Sequence, residues 1–286
     1  MPSLILSVLL LAASAPASST STLYDTVRMI ERYSTAEEPR SVRLRTRYEA
    51  GIPATLRALD CASIDPIRLD DLFLATHLVA FYSPDTVLLN RMICLHGAME
   101  ASGIAAHLHH QKLYGVMVTL RQFELANRLR VRYRLRVPEL PVLTPLAGEG
   151  PQVLVLVEDA GAKVVPWFSG NGWQVVAVVH PHCAPSRRAM DIVMKSSDFE
   201  WLRTHLKLLM PAGPSWLQQD MNDWNLQYPA HPIAAEMPGA TLAGIHTDET
   251  PTFHLVKDGK VVEVIRGLPA DPEPMERWRK RVLANR

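Results

Sequence analysis

The chain has 286 residues, of which 48% are hydrophobic and 21% charged, with three cysteines and a formal net charge of +1. That apolar content excludes a disordered or collagen-like chain, and the cysteines are too few for a small disulfide scaffold. The near-neutral balance gives no global attraction to nucleic acid or to an acidic membrane, and the length suits one large or two ordinary domains.

Residues 4–13 form an apolar run, followed by Ala15-Pro16-Ala17, and the first charge is Asp25. Small residues behind a short apolar run read as a secretory signal peptide, residues 1–17, although the segment before the run lacks Lys and Arg. A buried N-terminal helix is the alternative. A bilayer span needs about 20 apolar residues, which neither this run nor any other reaches. The expectation is a periplasmic or secreted protein with no integral membrane span in the mature chain. In such a compartment cysteines can pair.

Residues 22–136 read as an all-α bundle. Tyr24, Val27 and Ile30 keep a helical spacing. Asp70 and Asp71 precede the stripe Leu72, Ala75, Leu78, Val79, as acids do at helix starts. Ser83-Pro84 ends that helix and opens another with Val87, Leu88, Met92, Leu95 and Met99, which stops at Ser102-Gly103. A third helix carries Leu108, Leu113 and Val116, and a fourth begins near Thr119. Residues 114–138 have a faint tetratricopeptide look, with Phe123 and Ala126 at packing positions, but no second copy follows at that period. Arg128, Arg130, Arg132, Arg134 and Arg136 alternate with Leu129, Val131, Tyr133, Leu135 and Val137. Either the helix runs on or the chain turns extended here. The arginines form a solvated face or a contact strip for an acidic partner. His107, His109 and His110 read as helix-surface or core histidines.

Residues 137–150 are punctuated by Pro138, Pro141 and Pro145, an extended and stiff linker that marks a domain boundary. Beyond it, in residues 151–286, the pattern changes. The run 153–157 looks like a strand buried on both faces, as does 174–179. Residues 198–210 are amphipathic with a helical spacing, and 216–224 hold another helix. A weak strand follows at 242–245. Asp258-Gly259 joins 252–256 to 260–265 as a hairpin, and a helix closes the chain from Glu273. The order β-α-β-α-α-β-β-β-α predicts an α/β sandwich on one mixed sheet, and the whole an α+β two-domain protein.

Cys183-Ala184-Pro185-Ser186 sits at a strand-to-helix junction, and Thr250-Pro251-Thr252 enters the first strand of the hairpin. Residues 151–285 thereby resemble the thioredoxin superfamily, in which a C-x-x-C or C-x-x-S motif opens a helix and a Thr-Pro element with a cis bond faces the cysteine. The resemblance implies a reactive Cys183, with Ser186 and Pro251 in the active site and Thr250, His182 and Arg187 beside the substrate. Two features depart from the pattern. The separation of Cys183 from Pro251 is long, so residues 211–238 read as an insertion. His180-Pro181-His182 stands where a Trp usually precedes the motif. A thiol at a helix N-terminus favours its thiolate, the species that attacks disulfides. Ser186 cannot resolve a mixed disulfide, so the motif does not cycle alone as a dithiol.

In an exported chain Cys61 and Cys94 pair economically with each other, leaving Cys183 as the odd thiol; the alternative makes one of them a remote resolving cysteine. His180, His182 and Cys183 spell H-x-H-C, but with one thiol no metal is assigned there, and no cofactor is expected. No Walker loop, dinucleotide glycine fingerprint, H-E-x-x-H or G-x-S-x-G is present. The expected partners are protein thiols or disulfides, not nucleic acid. The rival reading is a redox-silent thioredoxin-fold binding module that serves as a scaffold in an envelope assembly.

Overall fold

The computed structural model describes residues 21–33, 39–144, 150–157, 161–167, 172–239 and 244–284. The expected signal peptide lies outside them. Among the described residues no helix is long and apolar enough to cross a membrane.

The first half is helical: α1 (Leu23–Arg32), α2 (Arg40–Gly51), the short α3 (Ala54–Arg57), α4 (Pro66–Tyr82), α5 (Thr86–Ala101), α6 (His107–Thr119) and α7 (Phe123–Tyr133). Local chemistry sets their ends. The Asp65 carboxylate accepts the Ile67 N–H, with Pro66 in the first turn, and Asp85 accepts the Leu88 N–H. Helix α4 therefore starts a full turn before Asp70 and Asp71. Those two acids instead bind neighbouring helices: Asp71 accepts the N–H groups of Leu23 and Tyr24 at the start of α1, and Asp70 lies 2.8 Å from His109. The arginine-rich segment stays helical as far as Tyr133. Arg134, in the left-handed region at φ 51°, ends it. Arg128, Arg130 and Arg132 ion-pair with Glu124, Glu139 and Glu100.

Cys61 and Cys94 are joined in a disulfide, 33 residues apart, that ties the turn after α3 to α5. Closing a loop of that length in the unfolded chain is worth about 3–4 kcal/mol on a chain-entropy estimate. The double variant C61A/C94A should lose about that much, read as a lowered urea midpoint. An unchanged midpoint would count against the bond.

The second half is a single mixed sheet. Its strands are β1 (Leu143–Thr144), β2 (Gln152–Val157), β3 (Gly161–Pro166), β4 (Trp173–Val178), β5 (Leu206–Met210), β6 (Ile233–Glu236), β7 (Thr252–Lys257) and β8 (Lys260–Arg266), in the spatial order β1-β3-β2-β6-β5-β4-β7-β8. Strands β4, β5 and β6 run parallel, while β7 is antiparallel to both β4 and β8. Helix α8 (Ala184–Lys195) and the short α9 (Glu200–Arg203) connect β4 to β5, α10 (Gln218–Gln227) leads into β6, and α11 (Glu273–Leu283) ends the described chain.

The continuous apolar run of β4 has a simple cause. Val175, Ala177 and Val179 pack into the main core on one face, and Val176 and Val178 into a second cluster with Trp167, Leu209 and Val256 on the other. Both faces are covered, so alternation disappears. The hairpin forms at Asp258-Gly259, both residues with positive φ, as a two-residue hairpin turn requires.

Three expectations are corrected. Residues 198–210 are not one helix: after one 3₁₀ turn and α9, Leu206–Met210 becomes β5, because its leucines and Met210 fill the slot between β4 and β6. Tertiary pairing overrides the helical spacing there. Of the weak strand expected at 242–245, Gly244 and Ile245 are not in a strand and 242 and 243 lie outside the described residues, while an unexpected strand, β6 at Ile233–Glu236, pairs with β5. The element after β2 is the antiparallel strand β3, not a helix, and β2 is buried only at Val153 and Leu154.

Strands β4 and β5, joined by α8 and α9, and the β7-β8 hairpin that precedes α11 lie side by side in the sheet as the unit β5-β4-β7-β8. The remaining strands extend its β5 side. The two halves share a continuous apolar core. Arg121 bolts them: its buried guanidinium donates to the Glu236 carbonyl at 3.0 Å and lies over the Trp216 ring. The proline-rich segment is held too, since the Asn127 amide both donates to and accepts from the Leu140 backbone.

Candidate active site

Strand β4 sets the site. After Val178 the chain leaves the sheet, turns with the Cys183 N–H donating to the His180 carbonyl, and enters α8 with Cys183 as N-cap and Pro185 in the first turn. Proline suits that turn because its missing N–H has no helical partner to serve. Free amides and the helix dipole there favour a negative sulfur.

The sheet register brings up the opposite side. Val178 pairs with Thr252, so the residues just beyond β4 and just before β7 meet. The Thr250–Pro251 bond is cis. The Cys183 thiol lies 3.3 Å from the Thr250 carbonyl oxygen and donates to it. The approach to β7 is braced. Gly267 N–H donates to the Pro251 carbonyl at 2.8 Å, Thr252 Oγ1 to the Glu249 carbonyl, and Arg266 pairs with Glu249.

Ser186 is buried, and its Oγ accepts the His180 N–H at 3.3 Å. Occupied as an acceptor, the hydroxyl keeps its own hydrogen for the neighbouring sulfur. The Cys183 pKa lies below the ordinary thiol value. Burial acts upward, but hydrogen bonds from the Thr250 and Ser186 side chains, the Ser186 N–H and the Arg187 charge outweigh it. The protonated and ionised sulfur thus use different partners: the thiol donates to the Thr250 carbonyl, and the thiolate accepts from hydroxyls and an amide.

The structure therefore brings Cys183, Ser186, Thr250 and Pro251 together, with Arg187 adding positive charge from the exposed side of α8. His182 faces α10. Its Nε2 lies 2.8 Å from the Asp220 carboxylate on α10, and its side chain is largely exposed. His180, whose ring lies 5.7 Å from that of His182, has its pKa lowered, first by burial and then by the His182 charge, against the effect of Asp220. Cys61 and Cys94 are bonded to each other, and Cys183 is the free cysteine. His246 is tied by its N–H to Nε2 of the buried His254 on β7, at 3.0 Å. Among the described residues no three His, Cys, Asp or Glu side chains gather as a metal site.

Sequence reasoning missed α10 as a wall of this site. Asp220, Asp223, Trp224, Gln227 and Tyr228 line a cleft of about 290 Å3 that also touches His180, Pro181, Ser186 and Arg187. The signal was present as spacing, since these five positions follow the three-and-four rhythm of one helix face.

No protein-family model matches the chain. No curated protein matches it in sequence. Among solved structures it is similar to the crystal structure of a thioredoxin-like protein from Bacteroides caccae ATCC 43185, at 10% sequence identity and a TM-score of 0.32, over 96% of this chain and 99% of that one.

Proposed function

We propose that this is an exported thioredoxin-like protein that acts on the thiols and disulfides of partner proteins through the single cysteine Cys183. One observation carries the reading: the free Cys183 sulfur sits at a helix N-terminus, 3.3 Å from the Thr250 carbonyl, with hydroxyls placed to stabilise its thiolate. Export rests on the apolar run 4–13 and Ala15-Pro16-Ala17, and the division into 22–136 and 151–286 on the proline-rich segment between them.

The chemistry balances without a cofactor. The Cys183 thiolate attacks one sulfur of a partner disulfide. A Cys183–partner disulfide forms, the partner's S–S bond breaks, and its second sulfur leaves as a thiolate that takes a proton from solvent. The reverse step returns a thiolate to Cys183.

The test is the rate of Cys183 alkylation against pH. An inflection below the ordinary thiol value of about 8.5 is expected. Ser186→Ala should move it upward, because it removes a hydroxyl donor while leaving Pro185 and the helix start in place. A slow thiol with no inflection below that value would favour the redox-silent binding module, a reading that Ser186 in place of a second cysteine also suits.

A further inference from the structure

We infer that the cleft between α8 and α10 selects partners carrying a cationic group beside the sulfur to be attacked. The inference rests on the proposal that Cys183 is the nucleophile and adds the chemistry of what it meets. Cys183 does not itself line the cleft, but residues on both sides of it in the chain do: His180 and Pro181 precede it, and Ser186 and Arg187 follow it. Its far wall is the α10 face described above, and Val179 and Ile233 close its floor.

The wall is chemically one-sided. Asp191, Asp220 and Asp223 line the cleft against one guanidinium, Arg187. Asp191 is partly neutralised by Lys195 at 2.5 Å, and Asp220 faces His182. Among the described residues, Asp223 accepts from the neutral Gln219 amide alone. Trp224 and Tyr228 line the same cleft, and their rings meet with centroids 4.7 Å apart. Carboxylates and aromatic rings lining one cleft suit an ammonium or guanidinium, which gains from both the charge and the ring quadrupole. A cleft of about 290 Å3 is small for a cofactor-sized ligand, whose sites begin at about that size, and fits one side chain. Clefts lined by one sign of charge raise the local concentration of the opposite sign and its encounter rate.

The experiment uses three small disulfides as probes: cystamine (cationic), 2-hydroxyethyl disulfide (neutral) and dithiodiglycolate (anionic). The rate of adduct formation on Cys183 is followed by intact mass at low ionic strength. The same protein unfolded in urea supplies the intrinsic reactivity of each probe. After that correction the folded protein should favour cystamine over dithiodiglycolate by roughly tenfold, and added salt should shrink the ratio. Asp223→Asn, which leaves the His182–Asp220 pair intact, should lower the ratio severalfold. A corrected ratio near one, or a preference for the anionic probe through Arg187, would overturn the inference while leaving the thiol reading standing. No adduct with any probe would overturn both.

Discussion

Wild-type protein purified from an oxidising compartment is expected to carry a reductant-sensitive adduct on Cys183, and Cys183→Ser to carry none. The reason is the residue at position 186. In a dithiol motif the second cysteine attacks the mixed disulfide and releases the partner. Here Ser186 Oγ occupies that place, close to the sulfur and engaged with the His180 N–H, and a hydroxyl cannot perform the exchange. Cys61 and Cys94 are consumed in their own bond. A mixed disulfide on Cys183 therefore waits for an external thiol. Ser186→Cys is close to isosteric and should shorten the lifetime of the adduct from persistent to transient. Masses of the three proteins with and without reductant decide it. A clean wild-type mass with an unmodified, slow-reacting Cys183 would move the balance to the binding module. An increase of adduct in Cys61→Ala or Cys94→Ala would instead make one of those residues the resolving thiol.

Acid is expected to destabilise the fold steeply between pH 6.5 and 4. His96 and His254 are almost fully buried, and burial holds both near pKa 4 against 6.5 in the unfolded chain. Each contributes stability that is complete above pH 6.5 and is lost as the pH falls toward 4, because the unfolded chain binds the proton first. At pH 5 the loss is on the order of 2 kcal/mol for each histidine. His77, also held near 4 mainly by its burial, adds in the same direction. The geometry agrees for His96, whose Nε2 lies 2.7 Å from His110 Nδ1; two protonated rings at that distance would repel. Glu100 opposes this, with a carboxylate oxygen 3.7 Å from His96 Nδ1, and stability below pH 6.5 should still fall. The measurement is the urea midpoint at pH 7 and pH 5 for wild type and His254→Gln. The variant starts less stable but should lose about 2 kcal/mol less on acidification. Equal losses in the two proteins would place the acid sensitivity elsewhere.

Much of the architecture was legible because it is written in local chemistry. The stop at Ser83, the two-faced burial of β4, the Asp258-Gly259 turn and the placement of Cys183 at a helix N-terminus all follow from residues within a few positions of one another; the caps Asp65 and Asp85 are equally local, but the expected helix starts are Asp70-Asp71 and Ser83-Pro84. Counting thiols made Cys61 with Cys94 the economical pair for an exported chain, against the alternative of a remote resolving cysteine, and the structure joins the two.

Tertiary structure decided what depends on partners distant in sequence. Residues 206–210 have a helical spacing but become β5, because the slot between β4 and β6 buries Leu206, Leu208, Leu209 and Met210 and supplies strand hydrogen bonds on both sides. Asp70 and Asp71 looked like helix-start acids, yet they bind His109 and the first amides of α1, from 39 to 48 residues away. His182, expected beside the substrate, has its Nε2 2.8 Å from Asp220 on α10, a helix whose position no local pattern specifies. Periodicity and capping report only what a residue's near neighbours can satisfy. The wall of the cleft, the bolt at Arg121 and the meeting of Cys183 with Thr250 exist only once the sheet register has brought separate segments together.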